Sequence, residues 1–192
     1  MIKDELNLQS TGAKYAEVQR THYGQAILDD PQLRGMFCDR VDSLLTDLRG
    51  LKEKGVSFSP FLEIGAGNVQ RSAALLNNYP VQGVAIDISQ NSLRDTPYIL
   101  SMLDYDHSPL LICCDAHPIP FLQNSFQFVF AYQTLHHFGN PIPFLAECYR
   151  ILGKGGHLFF NEEPIDSFLD GYYAEIVYFL ILQHIYKNWQ LN

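Results

Sequence analysis

Residues 60–88 constrain the fold more than any other stretch, because they read as a strand, a glycine turn, a helix and a second strand. Pro60 to Ile64 is a short apolar run of β type that enters the tight turn Gly65-Ala66-Gly67-Asn68. The turn opens a helix whose face is Val69, Ala73 and Leu76 and which Pro80 ends. The second strand, Val81 to Ile88, carries Asp87, 22 residues after Gly65. A helix between two strands makes a crossover, so the strands lie parallel and the helix covers one face of the sheet.

The rest of the chain repeats this alternation. Further strands are predicted at Leu110 to Asp115, Phe126 to Tyr132 and His157 to Asn161, with helices in the gaps. Phe144, Cys148 and Ile151 give one helical face that stops at Gly153, and Pro97 breaks the second crossover or starts a new turn after Thr96. Upstream, Leu33, Phe37, Val41, Leu44 and Leu48 recur at helical spacing as far as Gly50. The first fifty or so residues therefore read as two helices forming a lid or cap, the second closed by a glycine cap at Gly50. The predicted fold class is α/β, a Rossmann-like, doubly wound, mostly parallel sheet with helices on both faces. Residues 1–55 form the helical cap, 56–164 the cofactor-binding core and 165–192 a C-terminal helix, all within one domain.

Charge narrows the partners. With a net charge of -8 and a pI near 5.2, the chain repels phosphate backbones and anionic membrane surfaces, so neither nucleic acid nor membrane is an expected partner. Cys38, Cys113, Cys114 and Cys148 have neither metal-ligand spacing nor a secreted disulfide pattern, which points to a reducing cytosol and no metal. The start, MIKDELNLQS, lacks the apolar core of a signal peptide. Ile176 to Leu182 is continuously apolar but far short of the roughly 18 to 20 residues that cross a bilayer.

The glycine turn lets backbone approach a ligand, and the acid at the end of the second strand stands where nucleotide-binding βαβ units bond ribose hydroxyls. Charge then selects the cofactor. A dinucleotide brings an anionic pyrophosphate, yet Glu63 stands two residues before Gly65, and Gln70 sits where the dinucleotide fingerprint requires Gly or Ala. S-adenosylmethionine carries a cationic sulfonium and ammonium, which Glu63, Asp87 and Asp115 would attract, while its carboxylate would use the N–H groups after Gly65 and Gly67.

At these residues the chain resembles the class I S-adenosylmethionine-dependent methyltransferases, especially the group similar to ubiquinone and menaquinone biosynthesis methyltransferases. The resemblance runs from about Pro60 to Phe160. Phe61 to Gly67 looks like the family's first motif and Ala85 to Ser89 like its second; Cys114-Asp115-Ala116 with Ile119-Pro120-Phe121 resembles the third. Ser125 to Val129, Leu135 to Phe138, Glu147, Arg150 and the Gly155-Gly156 turn look like the fourth strand and the approach to the fifth. The resemblance implies cofactor contacts from Glu63, Gly65, Ala66, Gly67, Asp87 (ribose), Ile88 (adenine packing), Asp115 (adenine amino group), Ala116 and Tyr132. Three positions depart from it: Val69 replaces the third glycine, Gln127 an aspartate, and Lys154 a proline.

The reaction expected is transfer of a methyl group to an O, N or C atom of a small molecule. Two other readings are a cofactor-binding or interaction module without turnover and, less favoured by Glu63 and Gln70, an NAD-dependent oxidoreductase. His136, with His137 behind it, follows the fourth strand and is a candidate base; Asn161, Glu162 and Glu163 follow the fifth, and Glu162 is the second catalytic candidate. Tyr15, His22 and Tyr23 are read as core of the N-terminal helices rather than as cofactor contacts. Family resemblance further implies two strands beyond the last helix, so the expectation is self-association or a further C-terminal segment.

Overall fold

The computed structural model describes residues 22–138 and 140–163. The expected C-terminal helix and Tyr15 lie outside them. Five parallel strands form one sheet in the order β3-β2-β1-β4-β5. They are β1 (Phe61–Ile64), β2 (Gly83–Asp87), β3 (Leu110–Cys113), β4 (Phe126–Tyr132) and β5 (Leu152–Asn161). The chain winds outward from β1 through β2 to β3, then returns to build β4 and β5 on the other side. Winding reverses between β1 and β4, and the crevice at the carboxyl ends of those strands is where such sheets bind ligands.

Alternation along the central strands sends Phe61, Phe128 and Phe130 to one face and Leu62, Val129 and Ala131 to the other. Against the first face pack α2 (Pro31–Glu53), through Val41, Leu44 and Leu48, and α3 (Gln70–Asn78), through Ala74 and Leu75. On the second face α6 (Ile142–Ile151) buries Phe144, Leu145, Cys148 and Ile151. Thus α2 is not a lid: the face read from its spacing covers the sheet, because burying Val41, Leu44 and Leu48 there outweighs leaving them at a rim. A short helix, α1 (Ala26–Asp29), buries Ile27 with Phe37 and with Ile99 of α5 (Thr96–Leu103).

Helix ends follow local chemistry. Asp30 caps α2, accepting from the N–H groups of Gln32 and Leu33, with Pro31 in the first turn. The helix passes through Gly50, where it was expected to stop. It ends at Glu53 because Gly55 (φ 81°) reverses the chain, Val56 N–H donating to Leu51 C=O and Gly55 N–H to Lys52 C=O. Pro97 splits the second crossover into α4 (Gln90–Leu93) and α5, as its position implied. The strand predicted at His157 to Asn161 pairs continuously with Phe128 to Tyr132, while Leu152 pairs with Phe126 and the intervening glycines bulge out. Glu147 and Arg150 pin α6 to the segment after β3: Glu147 accepts from Ile119 N–H, and Arg150 donates to the carbonyls of Ile119 and Phe121 and to Glu147. Among the described residues no helix is long and apolar enough to cross a membrane.

Candidate active site

The site is assembled where the β1 and β4 loops meet. Gly65 (φ 70°) and Gly67 (φ 56°) take left-handed conformations. At Gly65 a β-carbon would overlap the Thr134 side chain from the β4 loop, so glycine is required twice over, for conformation and for space. Thr134 donates its hydroxyl to Tyr132 C=O at 2.9 Å and lies against Ile64 C=O. Val69 is left-handed too (φ 71°) although it is β-branched and fully buried, so the departure from the family's third glycine leaves a strained residue in the turn.

Asp87 is buried and holds the turn. Its Oδ2 accepts from Gly67 N–H at 2.7 Å and its Oδ1 from Ser89 N–H at 2.7 Å. A carboxylate has about four lone-pair sites, so two remain for hydroxyl donors. Ala66 N–H donates to Ile86 C=O, a correction to the expectation that it awaits a ligand carboxylate. Glu63 is 2% exposed and accepts from Ser72 N–H at 3.0 Å, capping α3 from the preceding strand. Burial pushes its carboxyl up to about 7, against the opposing pull of Ser72 and Arg71. Ile88 is half-buried and Ala116 buried. Asp115 is exposed and turns back to accept from His117 N–H at 3.0 Å.

Across the crevice Glu163 caps the short helical turn Leu135–His137. Its Oε1 accepts from the N–H groups of Thr134 (2.7 Å) and Leu135 (2.8 Å), and its Oε2 from His136 N–H (3.1 Å). The same Oε2 lies 2.8 Å from His136 Nδ1. Burial pushes the Glu163 carboxyl up, but these donors outweigh it and hold it below the usual carboxylate range. The His136 ring lies against that of His137, centroids 4.1 Å apart and planes tilted by 43°.

Glu162 goes elsewhere. Left-handed at φ 57°, it accepts from Ser43 Oγ (2.8 Å) and pairs with Arg71 (2.6 Å). The Arg71 guanidinium lies over the Tyr132 ring, 4.2 Å from its centroid. Tyr132 donates to Asp47 at 2.7 Å, and Asn161 donates to the same oxygen. Burial and the Asp47 bond hold the Tyr132 hydroxyl un-ionised. Tyr132 therefore faces α2 and α3, apart from Asp87 and Asp115. The sequence reading missed Ser43 and Asp47, whose signal was two polar residues one turn apart beside Leu44 and Leu48, and also Arg71 and Thr134.

Residues 62–160, just over half of the 192-residue chain, match the family described as methyltransferase domain. The chain belongs to that family. Among solved structures, this methyltransferase domain is similar to a Bacillus halodurans protein described as a methyltransferase, at 27% identity and a TM-score of 0.51; the match covers 60% of this chain and half (50%) of that one. It is also similar to a Haemonchus contortus phosphoethanolamine N-methyltransferase solved with phosphomonomethylethanolamine and S-adenosylhomocysteine: 25% identity, TM-score 0.51, covering 60% of this chain and 27% of that one. A Methanococcus maripaludis protein described as an S-adenosyl-L-methionine-dependent methyltransferase shares the fold at 15% identity, with a TM-score of 0.59 over 74% of this chain and 65% of that one. No curated protein matches the chain.

S-adenosylmethionine is the cofactor of this domain, and the residues present fit it. Glu63 is a buried acid whose carboxyl is pushed up chiefly by desolvation and further by Asp87, a shift that a neighbouring cation would oppose. Asp87 retains lone pairs for hydroxyls at the end of β2.

Proposed function

We propose that this methyltransferase acts on a small-molecule acceptor, at an O, N or C atom, with His136 as the group that receives the acceptor's proton. The reading places it among enzymes similar to the ubiquinone and menaquinone biosynthesis group and in the cytosol. Of the residues named from sequence, Glu63, Gly65, Ala66, Gly67, Asp87, Ile88, Asp115 and Ala116 line the cofactor side, while Tyr132 and Glu162 brace it from the α2 face.

The observation that carries the reading is the Glu163 carboxylate on His136 Nδ1. An ionised carboxylate there keeps the ring proton on Nδ1 and leaves the Nε2 lone pair for an incoming proton. The ring is only 29% exposed, so it is oriented rather than free. S-adenosylmethionine supplies a methyl carbon on a cationic sulfur. The chain's task is then to hold the acceptor in line, exclude water and take the proton, with Glu163 stabilising the imidazolium that results.

A labelled-methyl screen over small hydroxyl, amine and carbon acceptors identifies the substrate. With it, His136→Gln is expected to lower kcat about 100-fold while S-adenosylhomocysteine affinity stays within about twofold. A fall in cofactor affinity with unchanged kcat overturns the assignment. Cofactor binding without turnover on any acceptor would favour a binding module.

A further inference from the structure

Asp95 lies outside every motif discussed above, yet its side chain is among the most thoroughly bonded in the protein. It is fully buried, at 0% exposure. Its Oδ1 accepts from Gly24 N–H at 2.9 Å and pairs with His22 Nδ1 at 2.6 Å. Its Oδ2 accepts from Tyr23 N–H at 3.1 Å and from Asn68 Nδ2 at 2.7 Å. One carboxylate therefore ties the segment entering α1 to the residue that follows Gly67 in the cofactor turn. Four donors are what a buried carboxylate needs to offset the loss of water.

The turn has a reason to need such an anchor. Val69 follows Asn68 in a left-handed conformation that is strained for a β-branched residue, and such strain persists only where the surroundings over-determine it. Two restraints are visible. The Val69 side chain is locked among Ala66, Ala85 and Leu93. Asn68 is fixed by Asp95, while Gly67 is fixed by Asp87. Successive residues of the turn are thus each gripped by a carboxylate of the second βα unit. The N-terminal segment is seated beside them by Ile27 packing on Ile99 and Phe37, and by Tyr23 edge-on to Phe37.

We infer that Asp95 is a positioning residue for cofactor binding: it clasps the His22–Gly24 segment onto the glycine turn and holds Val69 in its strained conformation. The inference rests on the cofactor assignment above. Releasing the clasp lets Val69 relax, moves the turn and loosens the N-terminal segment together. Conversely, a cofactor that fixes the turn also tightens residues 22–29.

S-adenosylhomocysteine is the probe. Asp95→Asn, which keeps the shape but replaces one acceptor with a donor, is expected to weaken its binding at least tenfold by calorimetry. Adding Val69→Gly should recover most of the loss, because glycine adopts φ 71° without strain. Hydrogen exchange at residues 22–29 should slow on adding the probe in the wild type and not in Asp95→Asn. Undiminished affinity in Asp95→Asn, or no recovery with Val69→Gly, overturns the role while leaving the cofactor assignment standing. A wild type that does not bind the probe overturns both. Should Asp95→Asn not fold, Asn68→Ala cuts the same bond, and its expected loss and its rescue by Val69→Gly decide the matter in the same way.

Discussion

The two sides of the switch point use the same device to different ends. On the β1–β2 side Asp87 accepts from the main-chain N–H groups of Gly67 and Ser89, and on the β4–β5 side Glu163 accepts from those of Thr134, Leu135 and His136. Each carboxylate stiffens a loop. What remains free differs: Asp87 keeps its own lone pairs, a fixed acceptor surface suited to binding, whereas Glu163 spends an oxygen on the ring nitrogen of an imidazole. One side is built to hold and the other to move a proton, so substitutions on the first should strike affinity and those on the second turnover.

The largest expected effect is on the holding side. Gly65→Ala puts a β-carbon into Thr134 and forces alanine into a left-handed conformation. Together these should cost roughly 2 to 5 kcal/mol of stability and remove measurable cofactor binding. Thermal unfolding and calorimetry would show both, and a stable Gly65→Ala protein that binds normally would break the comparison at its base.

Next comes Glu63, whose carboxyl, at about 7 in the folded protein against an ordinary 4.5, binds its proton more tightly when folded. The sign follows: this contribution is fully present below pH 4.5 and is lost as pH rises to about 7. Glu63→Gln keeps an acceptor for Ser72 N–H but cannot ionise. Denaturant unfolding should therefore show a stability loss between pH 4.5 and 7 that is smaller in Glu63→Gln than in the wild type, by as much as roughly 3 kcal/mol. Parallel curves would mean that Glu63 is not held neutral by burial.

Asp87→Ala should weaken S-adenosylmethionine binding by about 2 to 3 kcal/mol, the worth of charge-assisted hydrogen bonds, in a protein that stays folded. Unchanged affinity by titration calorimetry would remove Asp87 from the holding side.

The contrast also explains what could be read from the sequence. The glycine turn and the positions of Asp87 at the end of β2 and His136 after β4 were legible, because glycine, strand period and helix start are local signals; the contact of His136 with Glu163, 27 positions on, was not. The residues that were missed act through distant partners. Asp95 meets Gly24 across 71 positions, Tyr132 meets Asp47 across 85, Arg71 meets Glu162 across 91 and Glu162 meets Ser43 across 119. No periodicity encodes such pairs. Local misreadings had local causes: Gly50 looks like a helix stop, but a helix held by packing on the sheet tolerates an internal glycine, and Gly55 supplies the reversal. Val69 was noticed as a departure from the glycine pattern, but its left-handed conformation became visible only with the turn folded.

The smallest effect separates two neighbours that the sequence left undivided. Glu162 and Glu163 both follow β5, and either was a candidate to serve the acceptor. The left-handed conformation of Glu162 sends it to Arg71 and Ser43, leaving Glu163 to His136. Glu163→Gln retains an acceptor for the Thr134 and Leu135 N–H groups but replaces the oxygen facing His136 with a donor and removes the charge behind the imidazole, so kcat should fall about tenfold with cofactor affinity preserved. Glu162→Gln keeps an acceptor but removes the charge from an ion pair whose Glu162 side is 26% exposed and whose Arg71 side is only 6% exposed, so the stability cost should be about 1 to 3 kcal/mol. Its kcat should stay within about twofold of wild type. Should Glu162→Gln prove the slower of the two enzymes, the proton would be leaving through the Arg71 network instead, and the division between a holding side and a proton-moving side would have to be redrawn along α2.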